Sequence, residues 1–310
     1  MYGTILVPLD GSPLGERALP YATAIAKAAG AHLRLVRVAP EGAAAGAAEY
    51  LRRVAAALSR PPVSPTVSTA ALAGDPATEI LAEARRTGAG LVALSTHGRS
   101  GLGRWLYGSV ADAVLRRAGV PVLLVPAACP PAWRPEGAWR VLIALDGSPF
   151  AAAALGPGAD LAAALCVETL LLRVVPPPTV ALDLPGLPGG HRAGDRAAAT
   201  LDEASGYVDA MADGLRRRGR AAVGLVAVGP PATTIAAVAR GRGAGVVAMA
   251  THGRSAARAV LGSVATATIR AATVPLLLVR PAAVAASAAR PGAAALGDFP
   301  DAPALRRAQC

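Results

Sequence analysis

The stretch LVPLDGSP, residues Leu6 to Pro13, closes the first apolar run of the chain, and LIALDGSP at Leu142 to Pro149 writes nearly the same thing again. In each, a Val/Leu/Ile run of strand length ends on an aspartate. Gly11 then suits a tight turn, and Ser12-Pro13 is a favoured helix start, a capping hydroxyl followed by a proline that is pre-set for the first turn. Strand, acidic turn, helix is therefore the opening unit of both halves.

The rest of the chain repeats as well. LRLVRVAP (Leu33 to Pro40) matches LLLRVVPP (Leu170 to Pro177), and GDPATEI (Gly74 to Ile80) matches GPPATTI (Gly229 to Ile235). THGRS stands at Thr96 to Ser100 and at Thr251 to Ser255, and VPVLLVP (Val120 to Pro126) matches VPLLLVR (Val274 to Arg280). Between these landmarks short Val/Leu/Ile runs alternate with Ala-rich stretches of helical spacing. In the first copy the runs predict strands near 3–9, 33–38, 65–72, 91–95 and 121–126. Helices are expected near 13–29, 44–59, 76–87 and 108–118. Continuously apolar strands alternating with helices mean a parallel sheet covered on both faces. The fold class is α/β: two tandem, doubly wound, Rossmann-like parallel-sheet domains of strand order 3-2-1-4-5.

Residues 1–128 and 139–282 are the expected domains, with the Pro-rich stretch 129–138 as linker and the Ala/Pro/Arg stretch 283–310 as a flexible tail. The second copy carries a longer loop, Pro176 to Arg192, before a helix near 194–218. That loop either covers a site or fills space.

A chain of 310 residues with 53% apolar and 16% charged residues has core enough for two domains and is too apolar for disorder. The longest weakly charged stretch, Phe150 to Leu172, is broken by Gly156-Pro157-Gly158, Asp160 and Glu168, so no membrane span is expected. No basic, apolar and small-residue leader pattern opens the chain, and the cytoplasm is the expected compartment. Cys129, Cys166 and Cys310 follow neither a disulfide nor a zinc spacing. The net charge of +11 rests on arginines scattered along the chain, with Lys27 the sole lysine. Such a surface favours anionic partners through long-range attraction, yet no nucleic-acid recognition motif accompanies it and none is expected as a partner.

Open parallel sheets bind ligands outside the carboxyl ends of their strands, where the strand order reverses. In a 3-2-1-4-5 sheet that crevice lies between Asp10, after strand one, and the Thr96 to Ser109 loop, after strand four. A carboxylate there accepts hydrogen bonds from ribose hydroxyls, whereas a purely structural DGS would be only a turn; Asp146 repeats it. In STHGRSGLGRWLYGSV (Ser95 to Val110), glycines at 98, 101, 103 and 108 let backbone N–H groups approach an anion, and Gly108-Ser109 opens a helix whose positive end suits phosphate. Arg99 and Arg104 add charge. No GxxxxGK[ST] loop occurs. His97 and His252 have no triad or metal-ligand partners in these motifs and read as structural or phosphate-contacting. Trp105 and Tyr107 read as packing residues.

With these motifs in place the sequence resembles the universal stress protein family in its tandem form, over residues 1–126 and 139–281. The family's motif is G-x-x-G, nine residues, then G-[ST]. Gly98 and Gly108-Ser109 keep the nine-residue spacing, with Ser95 at the first glycine. Gly253 and Gly262-Ser263 are separated by eight, with Ala250 at the first glycine. The resemblance implies an adenine nucleotide alpha hydrolase-like fold. Asp10 would hold ribose, Pro8, Leu9 and Val38 would line adenine, and Gly98, Arg99, Gly108, Ser109 and Val110 would cradle phosphates. In the second copy these become Ala144, Leu145, Asp146, Val174, Gly253, Arg254, Gly262, Ser263 and Val264.

The resemblance further implies a regulatory stress-response protein that binds ATP, with or without Mg, and does not turn it over efficiently. Phosphoryl transfer needs metal ligands and a group that orients the nucleophile, and the motifs bring a cradle without one. The competing class is a ligand-free interaction scaffold of the same fold. The last strands, Val120 to Val125 and Val274 to Val279, are apolar edges that want covering. The family joins such strands across a two-fold, here between the two halves of one chain, with a homodimer of chains left open.

Overall fold

The computed structural model describes residues 2–59, 65–96, 108–130, 139–177, 190–252 and 261–281, and of 190–197 the backbone alone. The 131–138 part of the linker, the 178–189 part of the inserted loop and the tail from 282 lie outside the described residues.

The first half runs β1 (Thr4–Pro8), a 3-10 turn (Gly15–Ala18), α1 (Leu19–Ala29), β2 (His32–Ala39), α2 (Ala44–Leu58), β3 (Val67–Ala73), α3 (Pro76–Arg86), β4 (Leu91–Ser95), α4 (Ser109–Arg117) and β5 (Val122–Val125). The second runs β6 (Arg140–Leu145), α5 (Pro149–Ala152), α6 (Leu155–Ala164), β7 (Glu168–Val175), α7 (Gly190–Arg216), β8 (Ala222–Val228), α8 (Pro231–Gly241), β9 (Ala244–Ala250), α9 (Ser263–Ala271) and β10 (Leu276–Val279). One expected helix is split. The stretch near 13–29 starts as the 3-10 turn and becomes α-helical only at Leu19, because Pro20 has no N–H to give to the fourth carbonyl back.

The ten strands form one sheet in the order β3-β2-β1-β4-β5-β10-β9-β6-β7-β8. Each half has the order 3-2-1-4-5 with parallel pairing throughout. The halves meet in an antiparallel ladder, Leu276 opposite Leu124, Leu277 opposite Leu123 and Leu278 opposite Val122.

Alternation along the strands divides the core into two layers. Ile5 and Val7 of β1 pack with Tyr21, Ile25 and Leu51 of α1 and α2, while Leu6 packs with Ile80, Leu81, Val114 and Leu115 of α3 and α4. Both layers run on through β5 and β10 into the second half, with Leu123 and Leu277 in one and Leu124 and Leu276 in the other. Each fully buried side chain of this kind contributes roughly 1.5–3 kcal/mol. On the α1 side the Tyr2 hydroxyl donates to the Pro157 carbonyl oxygen of α6 at 2.7 Å.

Among the described residues of the first half one charged side chain is buried. Glu83 of α3, 4% exposed, accepts from Arg34 Nε of β2 at 2.8 Å and from Arg86 at 2.6 and 2.7 Å. Arg34 Nη1 also donates to Ser68 Oγ and the Thr69 carbonyl oxygen, both at 3.0 Å. The strand registers, Leu6 opposite Arg34 and Leu142 opposite Leu170, make Leu170 the counterpart of Arg34. Counting from Ile80 and Ile235 makes Val238 the counterpart of Glu83, and Leu170 and Val238 belong to the same apolar layer. The second half thus does with two apolar side chains what the first does with an ion pair.

Breaking a buried pair costs far more than replacing it whole. Glu83→Ala is expected to lose about 3–5 kcal/mol in urea unfolding at pH 7, whereas Arg34→Leu/Glu83→Val holds or exceeds wild-type stability. The bonds from Arg86, then from Arg34, hold the Glu83 carboxyl below the usual carboxylate range. Its stabilisation is therefore full above the ordinary carboxylate value and is lost as pH falls through the lowered one. Unfolding curves from pH 7 to acid should show that loss in the wild type and not in the double variant.

Candidate functional site

β1 is hydrogen-bonded to β2 on one side and β4 on the other, both parallel. Its carboxyl end is the point where the chain's order along the sheet reverses, and the connections after β1 and β4 leave that rim in opposite directions. Leu9 N donates to the Val36 carbonyl oxygen at 2.8 Å, extending the β1–β2 ladder one step to the edge of the turn. Since Pro8 stands opposite Val36, Asp10 follows level with Val38, which packs on the α3/α4 layer.

The turn is built from its own side chains. Asp10 Oδ1 accepts from Ser12 N at 2.9 Å and from Ser12 Oγ at 2.7 Å, and Ser12 Oγ accepts from Gly15 N at 2.9 Å. Gly11 takes φ +86°, which other residues adopt with strain. At Gly15 a Cβ would lie 2.3 Å from Asp10 Oδ1, so the carboxylate closes down on bare backbone. The second turn repeats the design, with Asp146 Oδ1 accepting from Ser148 N at 2.8 Å, Ser148 Oγ accepting from Ala151 N at 3.1 Å, and Gly147 at φ +83°. Ala144 and Leu145 end β6 just before it, and Val174 lies on β7 opposite Ala227.

On the other side of the crevice stands the opening of α4. Thr96, 3% exposed, directly follows β4, its N–H given to the Val125 carbonyl oxygen at 3.0 Å and its Oγ1 accepting from Ala127 N at 3.2 Å. Gly108 caps α4 at φ +77°, and Ser109 and Val110 form the helix's first turn. The Thr96 carbonyl oxygen is 3.4 Å from where a Cβ of Gly108 would stand. Among the described residues no carbonyl takes the Gly108 N–H. In the second half Gly262 caps α9 at φ −58°, and its N–H donates to the Thr251 carbonyl oxygen at 2.8 Å. The stretch between the two glycines of the motif is one residue shorter in this half, and here the amide is occupied. Ser263 and Val264 follow, Val264 being 38% exposed.

Four of the expected contacts, Gly98, Arg99, Gly253 and Arg254, lie outside the described residues, as do His97, Arg104, Trp105 and Tyr107. His252 is described: its Nδ1 lies 2.9 Å from Thr251 Oγ1, which ties the ring to its own strand end, and its Nε2 is buried without a hydrogen-bond partner among the described residues. Asp75 proves to be a helix cap, accepting from Thr78 N at 2.9 Å and Thr78 Oγ1 at 2.6 Å. These bonds hold its carboxyl below the usual range. Pro230 in its place caps α8 without such a bond.

Two residues at this rim have no part in the motifs. The Arg37 guanidinium of β2 lies over the Tyr50 ring of α2, 4.8 Å from its centre, and Arg173 of β7 lies 5.4 Å from the centre of the Tyr207 ring of α7. Both strands carry an arginine near their ends, in LRLVRVAP and LLLRVVPP, and the registers of Leu6 opposite Arg34 and Leu142 opposite Leu170 make Arg37 and Arg173 equivalent.

The sequence profile of the universal stress protein family matches residues 1–126 and again 139–280. A universal stress protein of Mycobacterium tuberculosis is 31% identical over 191 residues, which is 61% of this chain; the chain likewise spans 61% of that relative's length. One from Methanocaldococcus jannaschii is 31% identical over 142 residues, 40% of this chain and 82% of the relative. Among solved structures, a universal stress protein from Archaeoglobus fulgidus superposes with a TM-score of 0.64 at 21% identity, over 91% of this chain and 100% of its own. A functionally unknown protein from Pseudomonas aeruginosa does so at 0.63 and 21%, over 90% of this chain and 93% of its own. At these identities the structural likeness speaks for the fold.

The hydroxyl of Ser12 both anchors the carboxylate and receives the first amide of the following turn. Ser12→Ala is expected to cost about 1–2 kcal/mol in thermal or urea unfolding, and Ser148→Ala, which loses a single capping bond, about 1 kcal/mol.

Proposed function

This chain belongs to the universal stress protein family, and we propose that it binds an adenine nucleotide, ATP or a close relative, as a regulatory stress-response protein that does not turn it over efficiently. The carrying observation is the juxtaposition at one rim of the sheet: the Asp10 turn after β1 and the glycine-capped opening of α4 after β4, on the two sides of the reversal in strand order. Asp10 is proposed as the acceptor for ribose hydroxyls, Pro8, Leu9 and Val38 as the lining of the base, and Gly98, Arg99, Gly108, Ser109 and Val110 as the phosphate cradle. The polar groups proposed here are backbone donors, a hydroxyl, the Arg99 guanidinium and a carboxylate whose Oδ1 is already engaged with Ser12. That set suits holding a nucleotide better than activating water.

The two halves are not proposed as equals. The second site would comprise Ala144, Leu145, Asp146, Val174, Gly253, Arg254, Gly262, Ser263 and Val264, but the amide that should meet an anion there is spent on Thr251. Occupancy is therefore proposed for the first half, with the second half joined to it along β5 and β10 as its paired domain. The competing reading, a ligand-free scaffold, takes support from the same closed amide.

Equilibrium dialysis with labelled ATP, with and without Mg²⁺, separates the two. One ATP per chain is expected, with affinity falling at least about tenfold in Asp10→Ala and Gly108→Asp, in line with the loss of a charged hydrogen-bond acceptor or of an open anion site. Asp146→Ala reports on the second half and should leave the stoichiometry unchanged. No binding by the wild type would favour the scaffold, and a sustained hydrolysis rate at the roughly 10 s⁻¹ of a typical enzyme would overturn the regulatory reading.

A further inference from the structure

The arginine beside each acidic turn is held in an unusual way. At Gly11 a Cβ would lie 3.0–3.1 Å from Nη1, Cζ and Nη2 of Arg37, three nearly equal distances, so the guanidinium presents its flat face to the turn. Its other neighbour is the Tyr50 ring, whose hydroxyl donates to Glu16 Oε1 at 2.7 Å, just beyond the same turn. The guanidinium thus packs against both the turn and the ring. In the second half a Cβ at Gly147 would lie 3.2–3.5 Å from the same three atoms of Arg173, and the Tyr207 ring again lies beyond. The inserted loop falls between Arg173 and Tyr207 and has no counterpart between Arg37 and Tyr50. The stack is thus kept across a change in connection.

The halves differ in how the cation is balanced. Arg173 Nη2 pairs with Glu203 at 3.1 Å, whereas Arg37 makes no ion pair among the described residues. What Arg37 touches is the ring and the Gly11 peptide, next to the carboxylate of Asp10. Gly11 is the residue at which that turn is freest to bend, and a planar cation packed on it removes that freedom. A lysine ammonium, compact and strongly hydrated, cannot lie flat in the same space.

We propose that Arg37 is a positioning residue for the nucleotide site: packed against Tyr50 and the Gly11 turn, it holds the Asp10 carboxylate where a ribose can reach it. The role rests on the nucleotide reading above and deepens it. Arg37 acts through Asp10 and makes no contact with the ligand itself.

A double-mutant cycle tests this, with ATP and adenosine as probes and thermal unfolding measured alongside. Arg37→Met is expected to weaken both probes on the order of tenfold while the protein stays folded at the assay temperature. Combined with Asp10→Ala it should weaken them no further than Asp10→Ala alone, because the arginine's effect passes through the carboxylate. Wild-type affinity in folded Arg37→Met, or losses that add in the double variant, would overturn the proposal, since a merely structural clamp moves stability and not this coupling. Should Arg37→Met fail to fold, Arg37→Lys takes its place in the cycle, keeping the charge and stem but losing the flat face. Coupled weakening there supports the role and unchanged affinity ends it. If the wild type binds neither ATP nor adenosine, the nucleotide reading falls and the positioning role falls with it. That outcome is distinct from a wild type that binds and a cycle without coupling.

Discussion

A parallel strand whose two neighbours are reached in opposite directions along the chain leaves a gap at its carboxyl end that neither connection crosses. β1, between β2 and β4, is such a strand, and β6, between β7 and β9, is another. Everything of chemical interest follows from this constraint. It puts the aspartate turn and the next-but-two connection on one rim, the connection that leads into α4, and it places the last residues of β2 and β7 beside the turns.

Much of this was legible in the letters, for definite reasons. Strands buried on both faces are mostly apolar, so β1, β4 and β5 announce themselves as Val/Leu/Ile-rich runs and β2 as a run broken only by Arg34 and Arg37, and their alternation with Ala-rich stretches leaves little freedom in topology. The acidic turn was legible because each residue of Asp-Gly-Ser-Pro has a local job. What stayed hidden depends on partners distant in sequence. Nothing near Arg37 points to Tyr50, nor anything near Arg34 to Glu83, since those pairings are made by the sheet. The split of the first helix was present as Pro20, a local signal overridden by the length of the Ala-rich run. The closed amide of Gly262 was foreshadowed only as a loop one residue short.

The two halves serve as each other's substitution series. A buried ion pair in one is an apolar pair in the other, and a capping aspartate in one is a proline in the other. The sheet, the turn and the arginine–tyrosine stack persist through these exchanges. Backbone hydrogen bonds and apolar layers therefore carry the architecture, and single polar contacts adjust it.

The ladder between β5 and β10 has a genetic consequence. Two identical chains meeting along such strands would receive every mutation twice, once on each side of the axis, so neither partner could drift while the other stayed fit. Encoding both partners in one reading frame breaks that symmetry: a codon lost from one loop leaves the other loop intact. A one-residue difference before α9 is tolerable in this arrangement, and one half can change its loop while its sibling does not.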